Sequence, residues 1–98
     1  MIHRVARFEV SKDEIIEAIS VITEFVEKVN TEEPNCILYR SLQEKESETK
    51  FTHYMIFSNK EAEEYHRQTP WVKSFVSKLY PILEVVPVFT EMKVIGSG

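Results

Sequence analysis

The stretch CILYRSLQEKESETKFTHYMIF, residues 36–57, decides how the rest of the chain is read. Both ends are built from β-branched, aromatic and other apolar residues, so Cys36 to Gln43 and Phe51 to Phe57 read as strands. The run Glu44-Lys45-Glu46-Ser47-Glu48-Thr49-Lys50 between them is charged and flexible, as a hairpin loop is. Side chains alternate across a strand. The second of these strands puts Phe51, His53, Met55 and Phe57 on one face and Tyr54 and Ile56 on the other. The first puts Leu38 and Leu42 opposite Ile37 and Tyr39. Large apolar groups therefore stand on both faces. A sheet with one face in water would alternate cleanly instead.

Working outward, Ile2 to Val10 reads as a strand carrying Val5, Phe8 and Val10. Ser11-Lys12-Asp13-Glu14 has the capping-box spacing. It predicts a helix whose buried stripe is Ile15, Ile19, Ile22, Val26 and Val29. A polar turn containing Pro34 leads into the hairpin. After it, Ser58-Asn59-Lys60-Glu61 repeats the capping pattern, and Thr69-Pro70 restarts the chain with a cap and a proline suited to the first helical position. Trp71, Val72, Phe75, Val76 and Leu79 form the next apolar side, which stops at Pro81. Val85 to Val94 is the last strand, and Pro87 near its start suits an edge or a strand beginning. The order β-α-β-β-α-β is the ferredoxin-like signature, an α+β fold with one antiparallel sheet. Helices cover one face of such a sheet. The other face, also apolar, predicts a homodimer that packs sheet on sheet about a two-fold axis.

The chain has 98 residues, read as a single domain over 1–98, with 43% hydrophobic and 29% charged residues. A net charge of −4 argues against a nucleic-acid backbone binder. No apolar run is long enough to span a bilayer, MIHRVARFEV does not have the form of a signal peptide, and the one cysteine, Cys36, forms no internal disulfide. Cytoplasmic residence is the simplest expectation. The three histidines, His3, His53 and His66, show no metal-ligand spacing. With Gly96 and Gly98 the only glycines, there is no phosphate or dinucleotide loop. No metal and no cofactor is expected.

Three segments resemble the antibiotic biosynthesis monooxygenase family of dimeric α/β-barrels. They are V-x-x-F-x-V (Val5, Phe8, Val10), E-P-N-C-I-L-Y (Glu33 to Tyr39, where the family reads E-P-G-C-x-x-Y), and E-A-E-E-Y-H-R-Q-T-P-W-V-K-S-F (Glu61 to Phe75). The last, similar to E-A-x-x-x-H-x-x-T-P, is the most specific. Asn35 replaces a glycine, and Asn tolerates a positive φ better than most residues, so the turn can survive the change. The resemblance implies a dimeric ferredoxin-like barrel. The family's chemistry is broad, embracing cofactor-free monooxygenases of quinols and polyketide aromatics, haem-degrading enzymes and isomerases. Haem-degrading members resemble one another in a first-strand Asn and a His beyond the Trp. Here the first strand has no Asn and no His follows Trp71.

Candidate site residues follow. His66 is a general base, since imidazole titrates near neutrality, or else a buried histidine bonded to backbone near Thr69-Pro70. Tyr54 or Tyr39 would donate to a ligand oxygen, Tyr54 first because its strand is central. Trp71 and Phe75, four apart, would form a wall for a flat ligand, or plain core. Tyr65 and Arg40 complete the expected ligand-binding set. Arg4, Arg7 and Arg40 in strands need partners, Glu9 or Glu91 among them. Together these predict a cofactor-independent monooxygenase of a small quinol, phenolic or enolisable compound. An isomerase of a small carbonyl compound and a non-catalytic ligand-binding barrel remain as alternatives.

Overall fold

The computed structural model describes all 98 residues. The elements are β1 (Ile2–Val10), α1 (Ile15–Glu32), β2 (Cys36–Gln43), β3 (Lys50–Phe57), α2 (Lys60–Gln68), α3 (Pro70–Leu79) and β4 (Leu83–Met92), with short 3-10 turns at Lys12–Glu14 and Tyr80–Ile82. They form one four-stranded antiparallel sheet in the order β2-β3-β1-β4. This is the α+β, ferredoxin-like arrangement, with α1, α2 and α3 on one face. β4 is an edge strand, which accommodates Pro87. It begins and ends two residues earlier than the sequence pattern suggests, at Leu83 and Met92.

β3 sets the core. Phe51, His53, Met55 and Phe57 are all buried under the helices. Phe8, Val10 and Ala6 of β1 and Tyr39 of β2 share that face. Phe25 of α1 lies at the centre, stacked on Phe75 at 4.0 Å between centroids and edge-on to Tyr39 at 5.3 Å. Such pairs add to what their burial alone contributes.

Four local expectations are corrected. The buried stripe of α1 is Ala18, Val21, Ile22, Phe25 and Val29; Ile19 is exposed. The helix carries apolar residues around more than half of its circumference, so spacing alone leaves open which part the sheet will cover. Ser11 does not cap α1 through its side chain; its hydroxyl donates to Glu84 at 2.9 Å, and a 3-10 turn precedes the helix. Asn59 rather than Ser58 caps α2, accepting from the Ala62 N–H at 2.9 Å. Thr69 does cap α3, with Pro70 in its first turn. Asn35 needs no positive φ, since no residue adopts one; the Cys36 N–H closes the turn on the Glu33 carbonyl. The register shift between Cys36 and Leu38 makes Ile37 an extra residue, half exposed.

The opposite sheet face has no cover within the chain. Across it run the rows Leu38–Ile56–His3–Met92, Arg40–Tyr54–Val5–Thr90 and Leu42–Thr52–Arg7–Val88. Leu42, Val88 and Met92 are all 45% exposed or more. No helix is long and apolar enough to cross a membrane.

Candidate functional site

Between sheet and helices lies a cavity of about 300 Å³. Its floor exists because Ala6 sits in β1 between His53 of β3 and Phe89 of β4. A methyl group there leaves room that a larger side chain would fill. Phe8, Phe25, Phe75 and Phe89 supply aromatic walls, and Arg4, Glu63 and Arg67 stand at its polar edge. The volume is at the lower end of ligand pockets, enough for a compound of one or two rings.

His66 of α2 is buried and lines this cavity. Its Nδ1–H donates to the Glu33 carboxylate, 2.9 Å from either oxygen. Glu33, itself 4% exposed, also accepts from the Trp71 indole N–H at 2.6 Å. The imidazole is thus bonded to a carboxylate rather than to backbone; only the His66 carbonyl is used by Thr69. In a neutral imidazole, a carboxylate on Nδ1 fixes the tautomer and puts the lone pair on Nε2. Residues 33, 66 and 71 meet because the turn after α1 and the break between α2 and α3 lie against the same end of the sheet.

Tyr39 and His53 form a second buried pair, phenol oxygen to Nδ1 at 2.9 Å. Burial pushes the Tyr39 phenol well above its usual range, so it keeps its proton. Burial lowers His53 to about 4, so the ring is neutral near pH 7. His53 Nε2 has no hydrogen-bond partner.

The expected site residues are only partly brought together. His66, Tyr39 and Phe75 line the cavity. Tyr54 does not; it is on the open face of the sheet, 3.0 Å from His3 Nδ1, because alternation in β3 turns it away from His53. Trp71 is not a wall: its indole holds Glu33, and its ring lies beside an outer groove with Lys28 5.7 Å from the centroid. Tyr65 is 55% exposed and lines only a shallow surface groove. Arg40 is exposed on the open face, paired in register with Tyr54. Arg4 does have an anionic partner, chiefly Glu63, with Glu91 3.8 Å away. The hydrogen bond to Arg4 holds the Glu63 carboxyl below its usual range. Burial pushes the Cys36 thiol up to about 11, which leaves it a poor nucleophile near neutral pH. No three His, Cys, Asp or Glu side chains gather as a metal site.

Glu33 and His53 are the functional candidates that spacing alone does not single out. Glu33 stands in the E-P-N-C segment. For His53 the available signal was a polar ring alternating with Phe51, Met55 and Phe57 on a buried face.

The sheet, the helices on one side and an internal cavity lined by an oriented imidazole define a ferredoxin-like domain. The chain belongs to the antibiotic biosynthesis monooxygenase family, whose model matches residues 1–78. A candidate antibiotic biosynthesis monooxygenase of Bacteroides thetaiotaomicron has a similar fold, with TM-score 0.91 and 18% identity over 99% of this chain and 91% of that one. One from Caulobacter crescentus gives 0.89 and 22% over 97% and 90%. A conserved protein of Methanosarcina mazei gives 0.85 and 20% over 94% and 90%. At these identities the likeness is one of fold. No curated protein sequence matches.

Proposed function

We propose that the chain is a monooxygenase that uses no bound cofactor and acts on a small, flat quinol, phenolic or enolisable compound held between sheet and helices. The observation that carries this reading is His66, bonded through Nδ1 to the buried Glu33 carboxylate, on the wall of an aromatic cavity of about 300 Å³. In the reaction, His66 Nε2 takes a proton from the substrate. The resulting anion is electron-rich and passes an electron to O2. Radical recombination makes a C–O bond, and loss of water from the hydroperoxide leaves a carbonyl. The sum converts CH2 and O2 to C=O and H2O, so the substrate supplies all the electrons. Apolar walls exclude water from the anion. Glu33 is a positioning residue, held in turn by Trp71.

The same proton abstraction would begin an isomerisation, and oxygen uptake separates the two. A purified sample is offered a panel of quinols and enolisable aromatic ketones in an oxygen electrode. Uptake equal to the substrate consumed is the expected result. His66→Gln lowers it by about 10²–10⁴-fold, the usual contribution of general base catalysis. Substrate turnover without oxygen uptake, or no turnover anywhere in the panel, overturns the reading.

Assembly belongs to the same proposal. Leu38, Leu42, Ile56, Val88 and Met92 make the uncovered sheet face apolar, and a second copy of this sheet is the proposed cover. A homodimer would leave each cavity on its own helical side.

A further inference from the structure

We infer that His53 is a ligand-contacting residue whose Nε2–H donates a hydrogen bond to a carbonyl or hydroxyl oxygen of the uncharged ring compound that fills the cavity. This rests on the functional reading above and narrows its substrate class to planar compounds carrying an acceptor oxygen.

The tautomer follows from counting partners. The Tyr39 hydroxyl has one buried partner, His53 Nδ1. If the ring donated from Nδ1, the phenol proton would have no acceptor and Nε2 would be a bare lone pair. That leaves two buried polar sites unsatisfied. With Tyr39 donating to Nδ1, the proton sits on Nε2 and only that N–H is unpaired. Nε2 is buried, without a protein acceptor, on a residue 2% exposed. Phe8 stands edge to face with the ring at 5.0 Å. An aromatic face is a weak acceptor and does not replace an oxygen. Leaving a buried N–H unmet is costly, and natural interiors rarely do so without a use for the group. His53 lines the cavity, so a ligand there is the group that could bring an acceptor up to this nitrogen, with a small shift of the surrounding side chains.

The position suits the chemistry. His53 and His66 both lie against the ring of Tyr39, at 5.4 and 5.6 Å between centroids. A single planar ligand can therefore meet the donor at one point and the base at another. Burial keeps His53 neutral near pH 7, so it offers a hydrogen bond without a full charge. An oxygen that gains negative charge as the proton leaves strengthens such a bond.

The test is binding, separate from turnover. The probes are 1-indanone and indane, which share a skeleton and differ by the carbonyl oxygen. By calorimetry or NMR titration, 1-indanone is expected to bind the unaltered protein about tenfold or more tightly than it binds His53→Phe, the loss appropriate to one buried hydrogen bond. Indane should bind both within about twofold on the same argument. Equal affinity of 1-indanone for both proteins overturns the inference, as does failure of 1-indanone to bind the unaltered protein. Should His53→Phe not fold, nitrogen-detected NMR of the unaltered protein decides. A neutral ring protonated on Nε2, shifting with 1-indanone and not with indane, supports the donor. A proton on Nδ1, or no shift, overturns it. Oxygen uptake that fails while this discrimination persists sinks the proposed reaction alone. The reverse outcome sinks the donor alone.

Discussion

Acid should weaken this protein through one identifiable side chain. His53 is 2% exposed, and burial lowers its pKa from 6.5 to about 4. The rings around it, Phe8, Tyr39 and Phe75, offer no charge to offset a protonated imidazole. In the unfolded chain the ring takes up a proton below about pH 6.5. In the folded chain it does not until about pH 4. Between these values the unfolded state binds one more proton, so stability falls as pH falls. The contribution is fully present above the unfolded value, is reduced by about 2 kcal/mol at pH 4.5, and is lost in the limit by about 3 kcal/mol.

The control is Tyr39→Phe/His53→Phe, which removes the titrating ring and leaves no phenol without a partner. Urea unfolding of both proteins is followed by Trp71, the only tryptophan, at pH 7.0, 6.0, 5.0 and 4.5 and at one protein concentration. Carboxylates contribute an acid slope to both, so the informative quantity is the difference between the curves. Relative to the control, the unaltered protein should lose about 2 kcal/mol from pH 7.0 to 4.5. A difference that stays constant with pH, or a His53 NMR titration centred near 6.5, would refute the argument.

Two further outcomes are expected. Glu33→Gln puts an amide beside His66 Nδ1, favours the other tautomer, and should cut kcat by about 10²–10⁴-fold with little change in KM, as loss of a correctly oriented base does; a change confined to KM would show that Glu33 only shapes the cavity. Light scattering at micromolar concentration should give twice the 11.5 kDa chain mass, and Val88→Lys on the open face should give the monomer; a stable monomer of the unaltered chain would remove the sheet-on-sheet dimer.

The fold was legible because its strongest signals are local. Alternation in β3 separated Phe51, His53, Met55 and Phe57 from Tyr54 and Ile56, and Thr69-Pro70 marked the break between two helices. What was not legible depended on distant partners. Ser11 has the spacing of a helix cap, yet Glu84, brought alongside by β4, takes its hydroxyl. Ile19 has the spacing of a core residue, yet the sheet covers the Ala18, Val21, Phe25 side of α1. Tyr54 was rightly placed in a central strand, but centrality does not choose a face; the same alternation that buries His53 sends Tyr54 outward. Nothing local ties Glu33 to His66 and Trp71, because the turn after α1 and the break between α2 and α3 must converge before a carboxylate, an imidazole and an indole meet.

The two cavity imidazoles show what such convergence adds. Chemically they are the same group, and each uses Nδ1 for a protein partner. His66 meets a carboxylate, which only accepts, so Nδ1 must donate and Nε2 is left as the acceptor. His53 meets a phenol whose only buried partner is that nitrogen, so Nδ1 accepts and Nε2 is left as the donor. The identity of the residue behind each ring therefore sets opposite roles in front of it. Under the proposed reaction, a compound that must lose a proton and develop negative charge on an oxygen would meet both requirements on the walls of one cavity, which His53 and His66 both line. Exchanging the partners, a phenol behind residue 66 and a carboxylate behind residue 53, would reverse the roles with both histidines unchanged.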